Sequence, residues 1–330
     1  MAQSLPKRTL GKTGIEVSAV GLGCMSFSGT YGPSDDAASI ALIHDAIEAG
    51  ITLFDSSDAY GKGHNETLLG NALKGKRAGV VIATKFGNLG GAGGKYADGR
   101  PEFVVSSCEA SLKRLGIDTI DLYYAHRIDP SVPIEDTVGA MAKLVQQGKV
   151  RALGLSEAAP KTIARAHKVH PIAAVQNEFS LLYREQADDT RNTTRDLGIS
   201  FVAYAPLGRG LLTSDIADPA TLAEGDTRKR QPRYAGDNLA HNRALAQKVE
   251  AIAKRKGCTP AQLALAWVLA QGNDVTAIPG TKQKKRMMEN IGALGVKLSD
   301  AEMAEIASAV PAGAVKGTRY PEAQMASLYI

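Results

Sequence analysis

Four residues able to hold or pass a proton stand just past three short apolar runs. Phe54-Asp55-Ser56-Ser57-Asp58-Ala59-Tyr60-Gly61 continues the run 51–54, Thr84-Lys85 follows 80–83, and Tyr124-Ala125-His126 closes 119–124. A carboxylate, a phenol, an ammonium and an imidazole brought together can transfer a proton and stabilise a developing charge. Each alone has a plainer use: Asp55 can cap a turn, Lys85 can be solvated, and His126 can be a hydrogen-bonded core residue. Their common placement favours the chemical use.

Eight apolar, β-branched runs predict strands at 17–22, 51–54, 80–83, 119–124, 150–155, 172–175, 200–204 and 275–278. Helical spacing separates most of them, at 37–48, 66–73, 103–115, 134–147, 160–167 and 185–197, with further helices at 240–256, 259–271 and 299–310. Alternating strands and helices imply parallel pairing through right-handed crossovers. Eight units favour closure over an open sheet, so the expected fold class is α/β, a (β/α)8 TIM barrel with an N-terminal β-hairpin and two extra helices. The hairpin is expected at about 7–17, turning on Gly11 and Gly14. The chain then reads as a single barrel domain over 1–330, with a polar loop at about 205–239 and a tail at about 311–330. Barrel chemistry sits at the C-terminal strand ends, which is where Asp55, Tyr60, Lys85 and His126 fall.

Several other signals exclude functions. No G-x-G-x-x-G follows a strand, since Gly21-Leu22-Gly23 lacks the third glycine, and the P-loop-like Gly70 to Lys76 ends in Arg77 where Ser or Thr should bind magnesium. His167 and His170 have metal-compatible spacing but no acidic or cysteine partner nearby, and no metal is expected. Gly87 to Lys95 reads as a mobile loop. Three scattered cysteines, Cys24, Cys108 and Cys258, indicate neither a disulfide framework nor a zinc site, and no apolar stretch reaches signal-peptide or membrane-span length, so a cytoplasmic, unprocessed protein is expected.

The chain resembles the aldo-keto reductases over nearly its whole length. The resemblance is carried by 51–61, Ile82-Ala83-Thr84-Lys85, Leu115-Gly116-Ile117-Asp118 leading to His126, Gly148-Lys149-Val150-Arg151 with Gly154-Leu155-Ser156, Gln176-Asn177-Glu178 and Ile278-Pro279-Gly280-Thr281. The Gly-Leu-Ser-Glu and Ile-Pro-Gly-Thr variants are similar to those of a bacterial and plant subgroup that reduces assorted aldehydes and ketones. The family's catalytic tetrad then falls on Asp55, Tyr60, Lys85 and His126. In that assignment Tyr60 donates the proton, Lys85 lowers its pKa from an ordinary value near 10, Asp55 holds Lys85, and His126 orients the carbonyl.

The resemblance also implies a nicotinamide cofactor, NADPH in preference to NADH. It places Gly23, Cys24 and Met25 near the nicotinamide with Asp55, gives Ser156 and Gln176 the carboxamide, and stacks Tyr204 on the ring. Leu207, Gly208 and Arg209 begin the loop over the pyrophosphate, and that loop is expected to close on NADPH and to limit turnover by reopening. Gly280 stands where a Lys is common in the family, leaving Thr281, Lys282 and Arg286 for the 2′-phosphate and Gln283, Glu289 and Asn290 toward the adenosine, with a helix from near Lys282 aimed at phosphate. Glu157 stands where many relatives have Asn, so either its backbone substitutes or the contact is missing.

Met25, Phe27, Tyr31, Tyr60, Phe86, Asn88, His126, Arg127 and the tail residue Tyr320 are the expected substrate pocket. Arg127 has three open uses: favouring acidic or polar substrates, lying at the surface, or bridging to Asp129. The expected activity is NADPH-dependent reduction of aldehydes or ketones to alcohols, on a small-molecule carbonyl substrate, with no nucleic acid and no membrane. The alternative is an NADPH-binding redox-sensing or regulatory module with little turnover. The net charge of +5 supports a dinucleotide partner, because the basic excess lies in 228–233 and 282–286 and the rest of the chain is slightly acidic.

Overall fold

The computed structural model describes residues 5–216 and 218–330, so the start of the expected 1–330 domain and one position of the 205–239 loop lie outside the described residues. The N-terminal hairpin forms from β1 (Lys7–Thr9) and β2 (Glu16–Ser18), paired antiparallel. Gly11 and Gly14 turn it at φ of 51° and 73°, a region glycine enters without a Cβ penalty. Leu10, Ile15 and Val17 are buried with Leu53, Val81, Leu122 and Val202 of the barrel strands. Ser200, at the start of a barrel strand, accepts from the Gly11 amide at 2.8 Å and donates to the Thr9 carbonyl at 2.9 Å. The hairpin therefore closes the N-terminal end of the barrel and leaves the other end for chemistry.

Eight parallel strands follow in sequence order: β3 (Leu22–Gly23), β4 (Leu53–Asp55), β5 (Val81–Phe86), β6 (Ile120–Ala125), β7 (Val150–Ser156), β8 (Ile172–Glu178), β9 (Ser200–Tyr204) and β10 (Val275–Ala277). The sheet closes where Val20 bridges Ala277 in parallel, with the Gly21 amide on the Ala277 carbonyl at 2.8 Å and the Ala277 amide on the Ala19 carbonyl at 3.1 Å. This seam is tight. A Cβ on Gly23 would stand 2.8 Å from the Ile278 carbonyl oxygen, and one on Gly280 would stand 3.0 Å from that of Gly23.

The expected first strand at 17–22 is divided between the hairpin and the barrel. Ser18 causes the division by taking over ladder bonds: its amide donates to Thr52 Oγ1 at 2.8 Å, and its hydroxyl donates to the Val20 carbonyl at 2.7 Å.

Around the strands run α1 (Asp36–Glu48), α2 (His64–Ala72), α3 (Pro101–Leu115), α4 (Ile134–Gln146), α5 (Pro160–Val169), α6 (Glu185–Leu197), α7 (Asp237–Lys256), α8 (Pro260–Leu269), α9 (Lys284–Gly292), α10 (Asp300–Ala309) and the short α11 (Glu322–Met325). Thr259 with Gln262 and Ser299 with Glu302 form capping boxes that start α8 and α10. Helices α7 and α10 lie outside the β-α repeat and pack on each other. The helix expected from near Lys282 begins at Lys284. Two apolar layers fill the space between barrel and helices, and a third fills the barrel itself.

Candidate active site

Strand alternation decides which side chains enter the barrel mouth. On β5, Lys85 faces inward and its neighbour Phe86 faces outward, stacking on Tyr123 with ring centroids 5.0 Å apart. The fully buried Lys85 Nζ donates to Asp55 Oδ1, to the Ser56 carbonyl at 2.7 Å and to Tyr60 Oη at 3.3 Å. It therefore ties β4, β5 and the following loop to one ammonium. Asp55 Oδ2 accepts from Gln176 Nε2 at 2.7 Å. The His126 ring meets Tyr60 edge-on, with centroids 5.8 Å apart, and its Nδ1 lies 3.0 Å from Ser57 Oγ. Asp55, Tyr60, Lys85 and His126 are thus brought together as one contiguous group.

The loop bearing Tyr60 is fixed from behind by Asn65, which is fully buried. Its Oδ1 accepts from Ser56 Oγ at 2.7 Å, and its Nδ2 donates to the Cys24 carbonyl at 2.8 Å and to Ser28 Oγ at 2.9 Å. Ser57 and Asn65 are absent from the candidate residues read from sequence. Their nearness to Tyr60 in the chain was the available signal.

Burial would push the Lys85 ammonium down, but Asp55 and Tyr60 outweigh it and its pKa stands above the ordinary value. The Tyr60 phenol is also raised. Burial is the largest cause, and the opposing pull of Lys85 does not cancel it. Lys85 pulls the phenol down as expected, and desolvation, which the sequence does not display, outweighs it. His126 is held well below its usual value by burial first, then by Arg127 and Lys85, so its ring is neutral at pH 7. The group can present a protonated phenol and a neutral imidazole to a carbonyl oxygen, with a permanent cation behind the phenol.

Asp55, Tyr60 and His126 border a cavity of about 370 Å³, lined also by Gly23, Met25, Tyr31, Asn88, Arg127, Ser156, Gln176, Tyr204, Leu207, Arg209, Gly280 and Tyr320. A second cavity of about 650 Å³ shares Tyr31, Leu207, Arg209 and Gly280 with the first and continues past Thr281, Lys282, Gln283, Arg286, Glu289 and Asn290. Five expected residues line neither cavity, and one of them, Lys85, is fully buried behind Tyr60 and Asp55. Phe86 turns outward, Phe27 is fully buried in the apolar layer, Cys24 packs its Sγ 3.6 Å from the Leu22 carbonyl, and Gly208 is buried against Leu182. Thr227, Arg230 and Gln231 of the 205–239 loop join the lining instead.

Around Glu157 the mouth is held by buried charge. Its Oε1 accepts from Arg319 Nη1 at 2.8 Å, Tyr204 Oη at 2.8 Å and the Glu178 amide at 3.0 Å. Glu178 in turn takes Arg233 at 2.8 Å and Arg209 at 2.9 Å. Burial would raise the Glu157 carboxyl, yet Arg319 and then Arg127 bring it below its ordinary value. Glu157 sits at φ 55°, and its backbone amide donates to Asn177 Oδ1 at 2.9 Å. Arg233 and Arg228 are therefore matched by carboxylates, Glu178 and Asp226, so 228–233 is not the uniform basic clamp that its composition suggests. No sequence signal linked Arg319 to Glu157.

A closed parallel barrel with a polar pocket at its C-terminal strand ends defines the class of (β/α)8 barrel proteins that carry their chemistry in that mouth. The family model described as Aldo/keto reductase family matches residues 19–311. Among solved structures, the glycerol dehydrogenase from Gluconobacter oxydans is similar at 29% identity and a TM-score of 0.82, covering 92% of this chain and 94% of that one. A thermostable aldo-keto reductase solved with the inhibitor epalrestat is similar at 31% identity and a TM-score of 0.74, covering 92% of this chain and all of the other. The chain belongs to the aldo/keto reductase family and is an oxidoreductase, of a family that uses nicotinamide cofactors on small carbonyl substrates. Among the described residues no helix is long and apolar enough to cross a membrane, and no group of His, Cys, Asp and Glu is arranged to hold a metal ion.

Proposed function

We propose that the protein reduces aldehydes or ketones to alcohols with NADPH, residues 1–330 acting as one domain. The observation that carries this reading is Lys85 bonded to both Asp55 and Tyr60, with the His126 ring edge-on to the phenol, at the edge of the cavity in the barrel mouth. The cofactor, when bound, supplies a hydride to the carbonyl carbon. Tyr60 gives its proton to the carbonyl oxygen as negative charge builds there, and Lys85 stabilises the phenolate that remains. Asp55 keeps Lys85 charged and in place, and the neutral His126 donates a hydrogen bond that orients the substrate oxygen. Burial works against the donor role by raising the phenol, and the Lys85 charge and hydrogen bond oppose that rise by favouring the phenolate.

The residues present fit a dinucleotide. Among the described residues, Lys282 Nζ donates only to the Tyr31 and Pro33 carbonyls, at 2.8 and 2.9 Å, with no carboxylate within salt-bridge range, and its partial burial lowers its pKa. Arg286 pairs with the largely exposed Asp215 at 3.1 Å. Both line the larger cavity, so a 2′-phosphate there gains two cations without displacing a buried pair. Helix α9 begins beside them with no side-chain cap on its first amides, which adds partial positive charge. Ser156, Gln176 and Tyr204 border the smaller cavity, where the nicotinamide would lie near Gly23, Met25 and Asp55.

A panel of aldehydes and ketones assayed with NADPH and NADH in parallel tests the reading. Tyr60→Phe should keep cofactor binding and lose turnover by at least about a hundredfold. Wild-type turnover in that variant would remove Tyr60 from the proton-donor role.

A further inference from the structure

Arg127 follows His126 directly and leaves a charge unanswered. It is 9% exposed and borders the smaller cavity. A guanidinium cannot shed its proton to escape burial, so buried arginines normally carry a carboxylate partner. Arg209, Arg233 and Arg319 all have one. Arg127 has none within salt-bridge range among the described residues, and only its Nη1 is used, donating to the His126 carbonyl at 2.7 Å. Asp129 is occupied elsewhere, accepting from the Gly99 amide at 3.1 Å and from the Ser131 amide and hydroxyl at 2.9 and 2.6 Å. Glu157, the carboxylate whose field reaches Arg127, already holds Arg319 and Tyr204. Among the described residues the Nε and Nη2 of Arg127 have no protein partner, and neither is sealed from solvent.

The position separates this cation from those around the proposed dinucleotide site. Arg127 follows β6, whereas Lys282 and Arg286 follow β10, four strands away in the eight-stranded sheet and across the mouth. Arg127 lines the cavity together with Asn88, His126 and Tyr320. The Tyr320 ring centroid lies 6.0 Å from its guanidinium carbon. A fork of two free N–H donors matches a carboxylate or a phosphate group.

We infer that Arg127 is the anion anchor of the substrate site, so that carbonyl compounds bearing a carboxylate or a phosphate group are selected over uncharged ones. The inference rests on the reductase reading for its reaction and on the geometry of Arg127 for its selectivity. Anchoring acts before and during the chemical step, so its main effect falls on KM. Charge-assisted hydrogen bonds from the two free donors give a preference of roughly 10- to 100-fold.

The test compares 4-carboxybenzaldehyde, 4-formylphenyl phosphate and benzaldehyde in the wild type, Arg127→Met and Arg127→Lys. Expected is a kcat/KM preference of at least about tenfold for one or both anions, carried by KM. It should be abolished in Arg127→Met and partly kept in Arg127→Lys, and the better anion identifies the natural group. A merely structural arginine would lower all three substrates together. Binding of benzoate against benzamide to the protein saturated with NADP+, followed by calorimetry, gives a readout without turnover and needs no variant.

Reduction of all three aldehydes without preference would overturn the anchor and leave the reductase reading standing. If no aldehyde is reduced but benzoate binds selectively, the reductase reading falls and the anchor stands. With neither turnover nor selective binding, both fall.

Discussion

Removing one negative charge from the buried cluster at the barrel mouth should cost more than removing one positive charge. The cluster sets three guanidiniums, Arg209, Arg233 and Arg319, against two carboxylates, Glu157 and Glu178. Glu178 is fully buried and serves two of the arginines, so Glu178→Gln leaves both without a counter-charge while preserving shape. Breaking a buried pair in this way costs about 3–5 kcal/mol, and a chain of this size should lose about 2 °C per kcal/mol, or roughly 6–10 °C. Arg233→Met leaves Glu178 paired with Arg209 and also removes the Arg233 Nε, which has no partner among the described residues. Its cost should be near 1–2 kcal/mol, as for an ordinary imperfect core exchange. Differential scanning calorimetry of the two variants measures the asymmetry. Fluorescence titration with NADPH should show weaker binding in Glu178→Gln, because Arg209 borders both cavities. Equal losses in the two variants, or a larger loss in Arg233→Met, would refute the charge count.

His126 is neutral well below pH 6.5, owing first to burial and then to Arg127 and Lys85, so the rate of carbonyl reduction should show no limb near pH 6.5 attributable to it; a limb there that vanishes in His126→Gln contradicts this. Asp58 is pushed up to about 7 by burial and then by Glu66, from an ordinary 3.8. The folded state therefore retains a proton that the unfolded state releases, and the associated stability is present below about pH 4 and lost as pH rises through about 7. Asp58→Asn should raise the melting temperature relative to wild type by more at pH 8 than at pH 5, and an equal difference at both would show that Asp58 does not titrate this way. A Cβ on Gly154 would lie 2.3 Å from the Tyr124 ring inside the barrel, so Gly154→Ala should lower stability by about 1–3 kcal/mol, and an unchanged urea midpoint would show that the ring can move aside.

Much of this architecture was readable from local pattern. Runs of β-branched residues set out the strands and helical spacing set out most of the helices, because these signals depend on near neighbours in the chain. The grouping of Asp55, Lys85 and His126 also followed, since parallel strands of one barrel present their ends to a single mouth. Phe86 was misassigned because nearness to Lys85 in sequence was allowed to outweigh the two-residue alternation that turns it away. Phe27 was misplaced for a related reason: the 3-10 turn at Cys24–Ser28 carries it into the core, and no periodicity announces such a turn. The ion cluster was invisible for a different reason. Its members come from the ends of β7 and β8, the 205–239 loop and the tail, and a charged residue in sequence looks the same whether its partner is water or a distant carboxylate. Arg127 shows the same limit, since its character lies in the partner it lacks.

The seam at Val20 and Ala277 joins the two ends of nearly the whole chain through a short stretch of backbone pairing. Closing so long a loop is entropically costly, although the cost grows only slowly with length. Gly23 and Gly280 flank that seam and both border the cavity. A ligand resting against both would act as a staple across the junction, favouring the closed ring over an opened one by its own binding energy. Amide exchange at Gly21 and Ala277 would then report ligand occupancy more directly than exchange in the central strands, so the ring's weakest closure doubles as its gauge.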